Sequence, residues 1–269
     1  MSDTLPETNG ETGKFRPFAE LLFSLRFLTR LPIPFTRTLD PPQLARSMRF
    51  FGFAGALIGA LNGLVLESLN FLHLPSLMAA TFTCAIGALI TGALHEDGLS
   101  DMMDGLFGGK SPEQRLLIMR DSRIGNYGAM ALILALLARV AAFEALLHLP
   151  ILTVILLLAA AGAFSRAMMV DLLWATRSAR RDGLSAFAGR PGRNAALFAI
   201  IPAGALTIYA GLGIQNASGV AAILAACAVT ALLRRLAMRM IGGQTGDVCG
   251  AVQVLSEISM LATFTAMIG

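Results

Sequence analysis

Six stretches of about twenty residues, each dominated by apolar side chains, govern what this chain can fold into. They lie at roughly 50–72, 75–94, 127–147, 150–173, 195–214 and 218–240, with a seventh candidate at 250–268. A segment crossing a bilayer must satisfy its own backbone groups, which only a helix or a closed barrel can do. These runs are continuous rather than alternating, so they read as helices. Composition agrees. Of 269 residues, 55% are hydrophobic and 14% charged, against about 25% charged in a soluble domain. The chain is therefore expected to be all-α: a polytopic integral membrane helical bundle of six or seven transmembrane helices. Its environment is a lipid bilayer.

The flanks of the spans add detail. The polar start MSDTLPETNGETGK has no apolar core of a secretory signal, and residues 1–13 read as a disordered tail. Residues 14–269 read as one transmembrane domain. Phe18, Leu21, Leu22, Leu25 and Leu28 line one side of 15–30, opposite Arg16, Glu20, Arg26 and Arg30. That pattern suits an N-terminal helix lying in the membrane interface, with an ordinary packing helix as the alternative. LPIPF at 31–35 and Pro41-Pro42 interrupt the chain after it. Gly55, Gly59 and Gly63 repeat every four residues in the first span, which lets a second helix approach closely. Packing within the chain is the favoured use of that stripe, and a homo-oligomer seam is the alternative.

Arginine and lysine give the orientation. All of the 21 basic residues except Arg139 and Arg166 fall before the first span, in 95–126, in 175–194 or at the end of the sixth span. The alternate turns near 73–75, 148–150 and 215–217 hold none. The positive-inside rule makes the basic side cytoplasmic, with the N-terminus on it. Arg139 and Arg166 lie inside spans, where charge is costly and usually functional. Arg139 is expected to be structural. Arg166, with Asp171 nearby, is expected to form part of a site.

The chemistry concentrates in 95–123, on the basic side. Asp97, Asp101 and Asp104 stand at i, i+4 and i+7, within about 60° of one helix face. Carboxylates so close repel one another, and a divalent cation relieves the conflict. Oxygen donors without a histidine or cysteine set suit Mg²⁺ or Mn²⁺, and Mg²⁺ commonly links carboxylates to substrate phosphates. His95 at the head of the array reads as a hydrogen-bonding partner. In IMRDSRIG (118–125), Arg120 and Arg123 flank Asp121 and suit a phosphate. In GGQTGDVCGA (242–251), Gly242, Gly243, Gly246 and Gly250 break a helix, and Gln244, Thr245 and Asp247 add polar groups. This is not a P-loop, because no Gly-Lys-Ser/Thr follows. Glu257 lies in the following span, placed either to face a cavity lined by that broken backbone or to pair with Arg139 or Arg166.

Other classes are disfavoured. Cys84, Cys227 and Cys249 have no ligand spacing and read as small apolar fillers. The basic loop 175–194 contains one aromatic residue, Phe187, so it is no platform for nucleic acid. The residues point to a cytoplasm-facing, Mg²⁺-dependent site for a phosphoanhydride. A membrane ion or anion transporter lined by Arg139, Arg166, Asp171 and Glu257 is the alternative from another class.

FLTRLPIP (27–34), HEDGLSDMMDG (95–105), IMRDSRIGNYG (118–128), SRAM (165–168) and GGQTGDVCGA followed by Glu257 run in one order along the chain. In this the chain resembles the cobalamin synthase family, the adenosylcobinamide-GDP ribazoletransferases. The resemblance implies transfer of the cobinamide-phosphate group of adenosylcobinamide-GDP to α-ribazole or its 5′-phosphate. GMP is released and adenosylcobalamin or its 5′-phosphate forms, as the final assembly step of vitamin B12 biosynthesis. It implies a Mg²⁺ enzyme of the bacterial inner membrane, with residues 14–269 as the catalytic domain. Association with other late enzymes of the pathway is part of that expectation. Carried onto this chain, Asp97, Asp101 and Asp104 become metal ligands, and the general base is Asp104 or Asp247. His95, Asp121, Arg123, Arg166, Gly243, Gln244 and Thr245 become substrate-binding candidates. Glu96 is a carboxylate where the family's pattern tolerates an apolar residue, and it is not counted as a ligand. CDP-alcohol phosphotransferases also carry Asp-rich helices, but the LFGG after Gly105 departs from their pattern.

Overall fold

A computed structural model describes residues 16–33, 44–180 and 189–268. The expected tail at 1–13, the prolines from Pro34 to Pro42 and the middle of the basic loop, 181–188 with Phe187, lie outside the described residues. The described chain is helical, and it contains no strand beyond one isolated bridge between Ser178 and Gln244.

Eleven helices are described: α1 (Pro17–Leu28), α2 (Leu44–Ser47), α3 (Phe51–Phe71), α4 (Ser76–Thr91), α5 (Leu94–Gly108), α6 (Pro112–Ile118), α7 (Asn126–Leu146), α8 (Ile151–Ala175), α9 (Arg193–Gly211), α10 (Ser218–Ile241) and α11 (Gly246–Ala266). A 3-10 turn, Met48–Phe50, joins α2 to α3, so that Leu44–Phe71 runs as one long helix. Among the described residues six helices are long and apolar enough to cross a membrane, or seven if α4 and α5 count as one bent span. The chain is a polytopic helical membrane protein, as its apolar runs require.

The core forms around α8, most of whose residues from Leu157 to Leu173 are buried. The glycine stripe of α3 faces it. A Cβ at Gly55 would lie 2.1 Å from the Gly162 carbonyl oxygen, and one at Gly59 2.1 Å from that of Leu158. Nothing larger than hydrogen fits, so the stripe is an internal seam. Ile133, Leu137 and Leu224 on the outer faces of α7 and α10 remain exposed, which is how a helix meets lipid.

α1 forms where amphipathicity placed it, but it turns Glu20 and Ser24 inward. Glu20 is 1% exposed and pairs with Arg49 at 3.3 Å and Arg46 at 3.6 Å. The Ser24 hydroxyl donates to the Ser47 carbonyl at 2.7 Å. Phe18 on the opposite side is exposed. Leu28 is buried as well, with Leu21 and Leu25 packed against the core, so α1 docks on the bundle through both polar and apolar side chains.

The second apolar run departs most from a simple span. It breaks at Gly92 and Ala93, both at positive φ (65° and 53°), and α5 leaves α4 at 90°. Glycine is required at 92, since a Cβ there would also meet the Arg30 side chain at 2.3 Å. The acidic segment is thus no surface loop. It is a helix, α5, packed against α7 and α11 inside the bundle.

Candidate active site

Two glycines let α5 and α11 meet. A Cβ on Gly98 would lie 3.0 Å from the Asp247 carbonyl and 3.1 Å from Gly250 Cα, and one on Gly250 3.0 Å from the His95 carbonyl. The glycines of HEDG and of DVCG are therefore the contact surface of the crossing. This contact brings Asp247 beside the acidic face of α5. Asp101 lies within electrostatic reach of Asp97, Asp104 and Asp247, with Arg180 the cation facing them.

Asp104 has a second engagement. Its two oxygens accept from the backbone N–H groups of Gly125 at 2.7 Å and Gly128 at 2.9 Å, the free donors that open α7. No side chain of its own segment caps α7, so Asp104 does so from across the bundle. Charge at a helix N-terminus is favourable. Gly125 and Gly128 leave the room, because a Cβ at either would fall within 2.4 Å of an Asp104 oxygen.

GGQTGD is fixed from the other side. The Gln244 N–H donates to the Arg177 carbonyl at 2.9 Å, and the Ala179 N–H donates to the Gln244 carbonyl at 2.8 Å. Gly243 is pressed against the same strip, its absent Cβ 2.6 Å from the Arg177 carbonyl. Thr245 caps α11 by accepting from the Val248 N–H, and its hydroxyl donates to Asp247 at 3.1 Å. Arg180 lies 3.9 Å from Asp247 and donates to the Leu116 carbonyl at 2.7 Å. The basic loop after α8 is thereby bound to the glycine-rich turn, a pairing across 65 residues with no signal in either segment.

The remaining candidates fall in two other places. Asp121 and Arg123 form a 2.6 Å ion pair on the exposed loop before α7. The Arg123 side chain and backbone N–H both donate to Asp121, pulling its carboxyl down to about 2. His95 and Arg166 are buried, at 1% and 3% exposure, in an interior network with Glu96, Arg139 and Glu257. Arg139 pairs with Glu96 at 2.9 Å and with Glu257 at 3.5 Å, and Arg166 pairs with Glu257 at 3.6 Å. The Gln253 amide bonds to Ser165 and to Glu257. Asp171 is separate, 3.4 Å from Arg234. Glu96, Arg139, Arg166 and Glu257 are paired with one another, which is the usual way such charges are tolerated.

Among the described residues no group of three or more His, Cys, Asp or Glu side chains closes on a metal-sized centre. The donor chemistry nevertheless fits Mg²⁺. That ion keeps several waters and takes one or two protein carboxylates plus substrate phosphates rather than a protein cage. Asp97 and Asp101 share the α5 face that Asp247 approaches, and they are the carboxylates best placed to hold it.

A helical bundle within a membrane, with carboxylates from two helices meeting under a glycine-rich turn and an arginine loop, defines an integral membrane protein with an acidic, oxygen-donor site. The family model for cobalamin-5-phosphate synthase matches residues 20–265, and the chain belongs to that family. It is 46% identical over 253 residues to the adenosylcobinamide-GDP ribazoletransferase of Azorhizobium caulinodans, covering 91% of this chain and 95% of that one. Proteins of the same name from Xanthobacter autotrophicus (45% identical, 90% and 94% covered) and Rhizobium johnstonii (43%, 88% and 93%) are similarly related. No solved structure matches the chain.

Proposed function

We propose that the chain transfers the cobinamide-phosphate group of adenosylcobinamide-GDP to α-ribazole or its 5′-phosphate, with Mg²⁺, at the cytoplasmic face of the inner membrane. The observation that carries this reading is the approach of Asp247 to the Asp97–Asp101 face of α5, with Arg180 beside it, in a chain of this family. The basic residues gather at the end of the bundle where these carboxylates lie, which supports a cytoplasmic site.

Asp97 and Asp101 would hold Mg²⁺, which supplies charge neutralisation at the phosphates when bound. Arg180 and Arg177, tethered to the glycine-rich turn, supply cationic guanidinium groups at the same edge. Both Asp104 oxygens are already engaged in capping α7, one by the Gly125 amide and one by the Gly128 amide. The general base is therefore Asp247. It takes the proton of the attacking ribose hydroxyl as that oxygen bonds to the phosphorus next to cobinamide. The bridging P–O bond breaks, and GMP leaves with the bridging oxygen. Asp121 and Arg123 present an exposed ion pair at the loop before α7, where the cation can turn to a substrate phosphate.

The test is GMP release by purified protein in liposomes supplied with adenosylcobinamide-GDP, α-ribazole and Mg²⁺. Wild type should release GMP and form cobalamin, and EDTA or Asp101→Asn should abolish both. Folded wild-type protein that releases no GMP under these conditions would sink the proposal.

A further inference from the structure

The interior charge network has no part in the chemistry just described, yet it touches every helix that carries the site. Glu96 comes from α5, Arg139 from α7, Arg166 from α8 and Glu257 from α11. They surround a small polar cavity of about 20 Å³, which Asn62 of α3 and His95 also line, room for a single water molecule. His95 Nε2, Glu96 Oε2, Arg139 Nε, Arg166 Nε and Asn62 Oδ1 are buried there without a protein hydrogen-bond partner. Two arginines and two glutamates balance in charge.

A buried ion network is weak grounds for stability, because desolvating its charges offsets their attraction. Its better use is to specify one arrangement among several. Here the arrangement concerns α5. Glu96 and Asp97 are adjacent, so they point about 100° apart around the helix. Anchoring Glu96 on Arg139 fixes the rotation of α5, and that rotation decides whether Asp97 and Asp101 face Asp247. The close Gly98–Gly250 crossing and the Asp104 bonds to α7 also limit that rotation, and Glu96 adds a charged anchor at the N-terminal end of α5. Arg139 also holds Glu257, ten residues beyond Asp247 on α11, so the same guanidinium references both helices.

We propose that Glu96, Arg139, Arg166 and Glu257 are positioning residues that hold α5 in rotational register with α11, and so align Asp97 and Asp101 with Asp247. The proposal rests on the transferase reading. Glu96→Gln and Arg139→Met should each lower kcat at least tenfold and raise the Mg²⁺ concentration for half-maximal activity. KM for adenosylcobinamide-GDP should stay within about twofold, since neither Glu96 nor Arg139 is assigned to that substrate. Arg139→Lys should recover part of the lost kcat.

The decisive protein is the double variant Glu96→Met/Arg139→Met, which removes the pair without leaving a lone charge. It should fold, with a melting temperature near wild type in detergent, and still show the low kcat and weakened Mg²⁺ response. Wild-type kcat in the double variant would overturn the proposal, because charge balance alone would then suffice. Failure of the double variant to fold would overturn it too, by assigning the network to stability. Wild-type protein and Asp101→Asn run alongside. If wild type itself releases no GMP, the transferase reading fails. If it does and the double variant matches it, the register proposal alone fails.

Discussion

Asp104 shows how one carboxylate of an acidic array can differ from its neighbours. It repeats the helical face of Asp97 and Asp101, but its oxygens are engaged by the Gly125 and Gly128 amides. Asparagine there would present an amide group to one of two backbone donors. Asp104→Asn is therefore expected to destabilise the protein by about 1.5–3 kcal/mol, the range for a hydrogen bond to a charged group. Asp101→Asn should leave stability unchanged or higher, since it removes a charge from a repelling cluster. Thermal denaturation of both variants in detergent makes the comparison, and an unchanged Asp104→Asn melting curve would contradict the capping role. Asp121 behaves differently again. Its carboxyl lies below the ordinary value of 3.8, at about 2. Whatever stability the pair contributes is complete above about pH 4 and lost as pH falls through about 2, so Asp121 adds no pH dependence to activity near neutrality.

At the scale of elements, the glycines decide which helices touch. The α3–α8 seam closes at Gly55, Gly59 and Gly162, where backbones meet with no side chain between them. Gly59→Leu should prevent that approach, and recovery of folded, monodisperse protein from detergent should collapse. Gly98→Val acts at the site instead. Its side chain would press on Asp247 and Gly250, costing about 1–3 kcal/mol as overpacking does. It should abolish GMP release while leaving most of the protein folded. The heptad-like spacing of Asp97, Asp101 and Asp104 and the period of the glycine stripe are both readable in the sequence, because each is a property of a single helix. Which helix each face meets is not, because that depends on a partner far along the chain.

The molecule as a whole carries its basic residues at one end and pairs the two arginines within its spans. Reporter fusions at His73, His148 and Gln215 should report the outer side, and fusions at Lys110 and Arg177 the cytoplasm. The reverse pattern would place the acidic site on the wrong side for a nucleotide substrate. The expected pairing of Glu257 with an intramembrane arginine holds, and it takes both Arg139 and Arg166. Arg166 lies in the interior network, 3% exposed, with its side chain laid against Gly55 of α3.

By itself the sequence determined the helical membrane architecture and most of the segments long and apolar enough to span. Bilayer thickness and helical period act on consecutive residues and leave a local trace. The tertiary structure alone decided that the acidic helix turns inward at Gly92, that Asp104 caps α7, and that Gln244 pairs with the chain at Arg177. It also decided that Glu96, next to the proposed ligand Asp97, belongs to a different network. Each of these depends on contacts between segments tens of residues apart, where the free energy of packing selects one arrangement that no local pattern encodes.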